Sequence, residues 1–507
     1  MVLPAEAAGG YSMGQKLKVV PYPALVRESG GVCPPARQGN VMEHVGELPG
    51  GPEAYELDIT PDGIQMTGAP AGILYARITL EQLKLEFPAE LPCLHIEDAS
   101  RFPYRGFMLD CCRHFFSEPD VMTLIDAASF YKINRFHWHL SDDQGWRVEI
   151  EQYPRLTEIG AQTGGAASRP EFYTKRQIRR IVKFAQDRNV EIIPEIDIPG
   201  HMTAAIAAYP ELGCTGQTMP VATDFGVFPN LICAGREECF KFLTDVLDEL
   251  CELFPSKTIH IGGDEAAKEH WKSCPYCQAK MRELGFGDED TLQRWYSDRI
   301  IQYLNAKGRE ARLWSDAFTG NDFQAEQYSI QYWMGNPGNV KYQAVLGHKI
   351  ICSDTAAYYM DYPYAADDRA GARVSAEDRA GREKISPEED FQNREKAAEQ
   401  LARYTHPINL DTILEHDPWP DWLAGGRTPA LRSALLGIEA PLWTEYVPDL
   451  STAVQRLFPR LPAVAEVAWT PELSRDNASF DERYESTAAQ FARRRLKGAA
   501  EKRLWHG

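Results

Sequence analysis

The sequence predicts an α/β chain: a closed (β/α)8 barrel of the TIM type, preceded by a small α+β domain. Three observations carry that prediction. From Arg101 onward, apolar runs of strand length alternate with long helical patterns, and eight such runs occur. Several of them are continuously apolar, as strands covered on both faces must be. Before residue 100 the texture differs, with short strand-like pieces set between Pro- and Gly-rich turns such as Leu48-Pro-Gly-Gly-Pro52.

The first domain, residues 1–100, contains strand-like pieces at Leu17–Val20, Tyr55–Ile59 and Gly63–Thr67. An amphipathic helix over Ala71–Leu83 and a piece at Leu94–Ile96 complete it. The second, residues 101–507, offers strands at Phe107–Cys112, Arg135–Leu140, Val190–Ile196, Thr258–Ile261 and Glu310–Trp314. Ser329–Trp333, Lys349–Ser353 and Leu435–Leu442 follow. Helical patterns at Glu118–Tyr131, Thr174–Arg188, Glu237–Phe254 and Leu292–Lys307 lie between them. A doubly wound open sheet is the alternative, because alternation by itself does not reveal closure. Residues 365–404 break the rhythm: dense in charge and poor in large apolar residues, they read as a solvated insertion between the seventh and eighth strands. A lid or a subunit contact is the other reading.

The chain has 507 residues, with 54 Lys and Arg against 73 Asp and Glu, hence a formal charge of −19. That field repels nucleic-acid phosphates and anionic lipid, and no basic stripe offsets it. No uncharged run reaches membrane-spanning length, and residues 1–20 lack the pattern of a secretory leader. Eleven scattered cysteines, an odd number, favour reduced thiols, so a cytoplasmic location is expected. No oligomeric state is read from the sequence.

In a (β/α)8 barrel the chemistry sits where the strands end. Each of the eight predicted strands ends in a carboxylate, Arg, His or aromatic residue. Arg113 follows the first, Asp142 the second, Asp197 and His201 the third, and Asp264 with Glu265 the fourth. Trp314 and Trp333 end the fifth and sixth; Tyr359 and Asp361 follow the seventh, Trp443 and Glu445 the eighth. A lone Trp is more often core, and a lone acid more often a helix cap. Their recurrence around one rim suits a sugar, whose C–H faces stack on indoles while its hydroxyls bind carboxylates and Arg.

Asp264 and Glu265 are consecutive, and in a regular strand they point to opposite faces. Both reach one pocket only if the strand is already ending, which Gly262-Gly263 permits. Adjacency argues against two carboxylates opposed across a glycosidic bond. It suits Glu265 as proton donor and Asp264 as partner of a nucleophile within the substrate. A donor near neutral pH calls for a raised pKa, expected here from burial and from the Asp264 charge.

The runs Leu109-Asp-Cys-Cys-Arg-His-Phe-Phe116 and Lys132-Ile-Asn-Arg-Phe-His-Trp-His-Leu-Ser-Asp-Asp-Gln-Gly-Trp-Arg147 resemble glycoside hydrolase family 20, the β-N-acetylhexosaminidases. So do Tyr153-Pro154 with Ile159-Gly-Ala161, Glu195-Ile-Asp-Ile-Pro-Gly-His201 and His260-Ile-Gly-Gly-Asp-Glu265, and the likeness runs from about Arg101 to Trp469. The resemblance implies exo-cleavage of terminal β-linked GlcNAc or GalNAc from a glycan. It implies retention through an oxazolinium formed by the substrate's own 2-acetamido oxygen, without metal or cofactor. It makes Glu265 the general acid/base, Asp264 the carboxylate that orients the acetamide, and Tyr359 a hydroxyl on its oxygen. Trp314, Trp333 and Trp443 would wall the pocket, Arg113, Asp361 and Glu445 would grip the sugar's hydroxyls, and Asp142, Asp197 and His201 would support them. Cys111-Cys112 depart from the small or apolar residues expected before Arg113, and the 365–404 excursion is longer than the family's pattern. Other readings are a relative of different specificity, such as a lacto-N-biosidase or a sulfated-sugar hydrolase, and a carbohydrate-binding barrel without turnover.

Three further motifs read as incidental. Cys274-Pro-Tyr-Cys277 has redox-dithiol spacing without the βαβ context, and as a zinc half-site it lacks a second close pair. His137 and His139 share one face of a buried strand and read as hydrogen-bonded structural histidines. Gly164-Gly165 and Gly425-Gly426 lie in no phosphate-binding pattern.

Overall fold

The computed structural model describes residues 16–162, 169–317, 323, 327–334, 337–364, 406–419 and 433–495. The 365–404 segment, Gly164-Gly165 and Gly425-Gly426 therefore fall outside the described residues.

The small domain is a five-stranded sheet. Its strands are β1 (Leu25–Cys33), β2 (Val41–Val45), β3 (Tyr55–Thr60), β4 (Gly63–Gly68) and β5 (Leu91–Asp98), in the order β1-β5-β3-β4-β2. A helix over Pro70–Glu86 covers one face, with Pro at its first turn and Ile73, Tyr75, Ala76, Leu80 and Leu83 buried. The alternating burial of β3 and β4 is what made them legible. Two corrections apply. Leu17–Val20 is buried but is not a strand; the Gln82 side chain accepts from Val20 N–H and donates to its carbonyl, both at 2.7 Å. The edge strands β1 and β2 were not foreseen, because they are largely exposed and have no apolar alternation to read.

The barrel strands are β6 (Tyr104–Asp110), β7 (Arg135–His139), β10 (Glu191–Glu195), β11 (Thr258–His260), β12 (Glu310–Trp314), β13 (Tyr328–Tyr332), β14 (Lys349–Cys352) and β15 (Leu435–Leu442). Two-residue strands β8 (Ser141–Asp142) and β9 (Gly145–Trp146) form a small ribbon above the rim. All barrel neighbours pair in parallel. The circle closes where β15 meets β6, from Gly437 opposite Tyr104 to Leu442 opposite Leu109. Closure excludes the open-sheet alternative.

Helices fall where predicted, and three of them begin on side-chain caps. Ser117 with Asp120, and Thr174 with Gln177, form capping boxes ahead of Glu118–Phe130 and Lys175–Gln186. Asp288 caps the helix Glu289–Ala306, starting it one turn before Leu292. The first barrel strand stops at Asp110 rather than Cys112. There the Asp110 carboxylate accepts from Cys112 N–H at 2.7 Å and Arg113 N–H at 3.2 Å, turning the chain out of the sheet. No helix among the described residues is long and apolar enough to cross a membrane.

The two parts meet over charge buried in complementary pairs. Arg105 donates to both Glu53 oxygens, at 2.7 and 3.0 Å. Lys132 reaches Asp98 and the Tyr55 hydroxyl, each at 3.0 Å, and lies over the Trp469 ring at 4.3 Å. The Trp469 indole N–H donates to the same Asp98 carboxylate at 3.0 Å. Burial lowers the Lys132 pKa, Asp98 opposing it. Removing one member of such a pair strands the other away from water, at a cost of about 3–5 kcal/mol. Lys132→Met is therefore expected to destabilise the chain by that order in denaturant unfolding. A midpoint unchanged from the parent would contradict the assignment.

Candidate active site

The C-terminal ends of the barrel strands carry a continuous set of polar and aromatic side chains. At its centre, β11 stops at His260 and the chain coils through Gly262 (φ +60°) and Gly263 (φ +103°) before Asp264 and Glu265. A Cβ on Gly262 would lie 1.8 Å from Asp197 Oδ1, so only glycine fits there. Glu265 itself has φ +46° and His201 φ +52°, a left-handed backbone that non-glycine residues seldom adopt and that concentrates at functional sites. The coil delivers both carboxylates to one side: His201 Nε2 is 3.9 Å from Asp264 and 4.0 Å from Glu265.

Burial falls unequally on the pair. The Asp264 side chain is 10% exposed and that of Glu265 24%. Burial raises the Asp264 pKa well above the usual carboxylate range, with the neighbouring Asp197 adding to the rise. Asp197 is pushed up to about 8, again by burial foremost, while His201 pulls it down. Carboxyl oxygens of the two approach within 4.8 Å, and protonation of one relieves the repulsion between them. Gly263 N–H holds Asp197 at 2.9 Å.

Around this centre the remaining predicted residues form one wall. Arg113 donates to Gln144 at 3.0 Å, Asp110 at 3.2 Å and Asp142 at 2.9 Å, and stacks over Trp443 at 5.1 Å. Although burial opposes its charge, Asp142, Asp110 and Glu445 hold its pKa well above normal. Asp142 also meets His139 at 2.8 Å and His201 at 3.1 Å. Asp361 and Glu445 repel each other; burial, then Glu445, pushes Asp361 up to about 8, and its Oδ1 is buried with no hydrogen-bond partner among the described residues. Trp314 and Trp443 stand 5.9 Å apart, while Trp333 and Tyr359 stack at 6.1 Å and 19°. All twelve residues singled out from the sequence thus lie in one connected site.

That arrangement offers a proton carrier, a charged partner for an amide, and aromatic walls with a guanidinium and two carboxyls at one end. The family model of the glycosyl hydrolase family 20 catalytic domain matches residues 102–472. The chain belongs to glycosyl hydrolase family 20. A beta-hexosaminidase of Porphyromonas gingivalis is 35% identical over 457 residues, covering 88% of this chain and 54% of that protein. The chain thus spans about half the length of that relative. A beta-hexosaminidase of Akkermansia muciniphila is 30% identical, covering 83% and 80% of the two chains. Among solved structures, an exo beta-N-acetylglucosaminidase from Vibrio harveyi in complex with N-acetylglucosamine superposes with a TM-score of 0.79 and 27% identity. It covers 100% of this chain and 82% of its own.

This family 20 site also uses residues that sequence reasoning passed over. Asp316 accepts from Glu265 N–H at 3.1 Å and from the Trp333 indole at 2.8 Å, joining the Glu265 backbone to Trp333. Asp143 accepts from Thr203 N–H at 3.0 Å, and Thr444 donates to Asp110 at 3.0 Å. Below them, Glu195 binds His139 at 2.5 Å and the Trp314 indole at 2.9 Å, and Glu439 binds His137 at 2.8 Å. Despite burial, His260, His139 and His137 hold Glu195 well below the usual carboxylate range. His139 is pushed up to about 10 by Glu195 and Asp142 against the effect of burial. Both histidines of His137-Trp-His139 are therefore hydrogen-bonded members of this floor, as their strand position suggested. Cys111 and Cys112 are buried with it. Cys111 Sγ accepts from the Trp138 indole at 3.2 Å, and Arg147 holds both cysteine carbonyls at 2.8 and 2.7 Å.

The repulsion between Asp197 and Asp264 has a kinetic consequence. An ionised Asp264 is the form able to neutralise a cation, so activity should rise as the pair loses its proton. Asp197→Asn removes the neighbouring negative charge and keeps an oxygen for Gly263 N–H. The acid limb of the kcat/KM profile is expected to move to lower pH. A limb that stays or moves upward would refute the coupling.

Proposed function

We propose that this chain is an exo-acting β-N-acetylhexosaminidase that removes terminal β-linked GlcNAc or GalNAc with retention of configuration. The observation that carries the reading is the adjacency of Asp264 and Glu265 on one side of a pocket walled by Trp314, Trp333, Trp443 and Tyr359. No second carboxylate pair flanking Glu265 across a sugar ring is required. The substrate's acetamido oxygen attacks the anomeric carbon while Glu265 gives its proton to the departing glycosidic oxygen. The Asp264 carboxylate accepts from the acetamido N–H and balances the charge of the oxazolinium; Tyr359 holds the acetamido oxygen. Glu265, now ionised, takes a proton from water as that water opens the oxazolinium at the anomeric carbon.

Arg113, Asp361 and Glu445 would bind the hydroxyls of the terminal sugar, closing that end of the pocket and dictating exo action. The Asp361 Oδ1, without a partner among the described residues, is suited to such a hydroxyl, since an unpaired buried acceptor costs about 1–3 kcal/mol until satisfied. The test compares chromogenic β-GlcNAc, β-GalNAc, lacto-N-bioside and β-glucoside substrates. Turnover of the first two, with the plain glucoside poor, is expected. Release of the disaccharide alone would instead favour a lacto-N-biosidase, and rapid glucoside cleavage would exclude substrate assistance. A thiazoline mimic of the oxazolinium should inhibit strongly.

A further inference from the structure

The Cys274-Pro-Tyr-Cys277 motif, read from sequence as a half-site lacking a second close pair, is completed by the fold. Cys214 and Cys233, far away in sequence, bring their sulfurs to it. Cys277 Sγ lies 3.8 Å from Cys214 Sγ and 3.7 Å from Cys233 Sγ, and Cys233 Sγ lies 3.7 Å from Cys274 Sγ. All four sulfurs are within 4.8 Å of one another. We propose that Cys214, Cys233, Cys274 and Cys277 form a tetrathiolate site for one structural Zn²⁺, which ties together the two loops bearing the catalytic groups.

Geometry favours this over the other chemistries of cysteine. A tetrahedral zinc with Zn–S bonds of about 2.3 Å sets its sulfurs about 3.8 Å apart, the spacing found here. Disulfide sulfurs bond at about 2.05 Å in isolated pairs, whereas Cys233 and Cys277 each contact two other sulfurs. A multi-iron cluster interposes inorganic sulfide and needs its thiolates farther apart. Four thiols binding Zn²⁺ release four protons to solvent, leaving a dianionic centre.

The scaffold is built for close approach. A Cβ on Gly235 would lie 2.2 Å from the Tyr276 carbonyl carbon and 2.4 Å from Cys277 N, so glycine alone lets the loop after Cys233 rest on the Cys274–Cys277 backbone. An antiparallel bridge between Gly213 and Ile232 aligns the segments leading into Cys214 and Cys233. The Trp271 indole donates to the Ile232 carbonyl at 3.0 Å. Cys274 occupies the N-cap position of the helix Pro275–Leu284, whose N-terminal end favours thiolate charge. Arg236, stacked on Tyr276 at 4.3 Å and with no partner for its Nε among the described residues, supplies a nearby cation.

The location gives the metal its role. Cys214 and Cys233 lie on the connection after β10, which also carries Asp197 and His201. Cys274 and Cys277 lie on the connection after β11, beyond Asp264 and Glu265. Zinc would fasten the outer ends of both loops, so that the Asp197–Asp264 and His201–Glu265 contacts stand on a cross-linked support.

The test is metal analysis of the full chain, produced with zinc available and purified without chelator. About one zinc per chain is expected, with Cys277→Ser and Cys214→Ser each losing most of it and Cys251→Ser keeping it. Co²⁺ substituted into the same chain should show thiolate-to-cobalt charge transfer and the visible bands of tetrahedral coordination. If a serine variant does not fold, the parent protein decides. Chelation should lower its Tm and added Zn²⁺ restore it. Zinc far below one per chain, iron in its place, a disulfide among the four, or cobalt spectra unaltered in Cys277→Ser would each overturn the proposal.

Discussion

Glu265→Gln is expected to lower turnover of a natural β-linked disaccharide by about 10²–10⁴-fold, the usual contribution of a positioned general acid. Glutamine has the same shape and suits the same φ +46° backbone, with Asp316 still accepting from its N–H, so the fold should be retained. What disappears is the transferable proton. The loss should therefore track the leaving group. An aryl glycoside whose phenol departs readily needs little protonation and should suffer far less in its bond-breaking step than a sugar alcohol. Affinity for the product sugar should barely change, because Arg113, Asp361 and Glu445 are untouched. Near-normal cleavage of the disaccharide, or a loss expressed wholly in binding, would remove Glu265 from the role of acid.

Asp264→Asn should cost about 10²–10³ in kcat, the magnitude associated with losing one preorganised electrostatic partner of a developing charge. The amide oxygen of asparagine still accepts a hydrogen bond, so orientation of the acetamide survives in part. Its charge does not, and the oxazolinium forms in a buried site where an uncompensated cation is expensive. The variant should also lose the acid limb that the raised Asp264 pKa imposes on the parent. Because the damage lies in the step using the acetamide, the gap between acetamido and plain-hydroxyl sugars should narrow. Activity equal to the parent on acetamido substrates would refute the role of Asp264.

Legibility differed by the kind of signal each residue leaves. The barrel strands are buried almost throughout, and the apolar runs within several of them announce them. The twelve candidate residues were found because a barrel strand's end is a fixed address, and a polar group there is visible without knowing its partners. Partners were not visible. Asp316 lies two residues beyond Trp314 in a short 3-10 turn, and nothing local says that it meets Glu265 N–H across 51 residues. Glu439 sits inside an apolar strand, a position whose meaning depends on His137 from the opposite end of the chain's barrel order. Cys214 and Cys233 are 63 and 44 residues from Cys277. The edge strands β1 and β2 failed for another reason, since solvent on both sides leaves no pattern of burial to read.

Asp98 has a consequence for how this protein can be divided. One carboxylate receives Tyr55 from the small sheet, Lys132 from the approach to β7 and Trp469 from the last turn of the helix Arg460–Trp469. Cutting the chain at residue 100 would strip the ammonium and the indole N–H of their carboxylate acceptor, with Arg105 losing Glu53 beside them. The boundary that composition draws so clearly is therefore no line of separation. The catalytic barrel is not a portable module, and grafting or expressing it alone would expose a seam of orphaned donors that evolution has sealed with the first hundred residues.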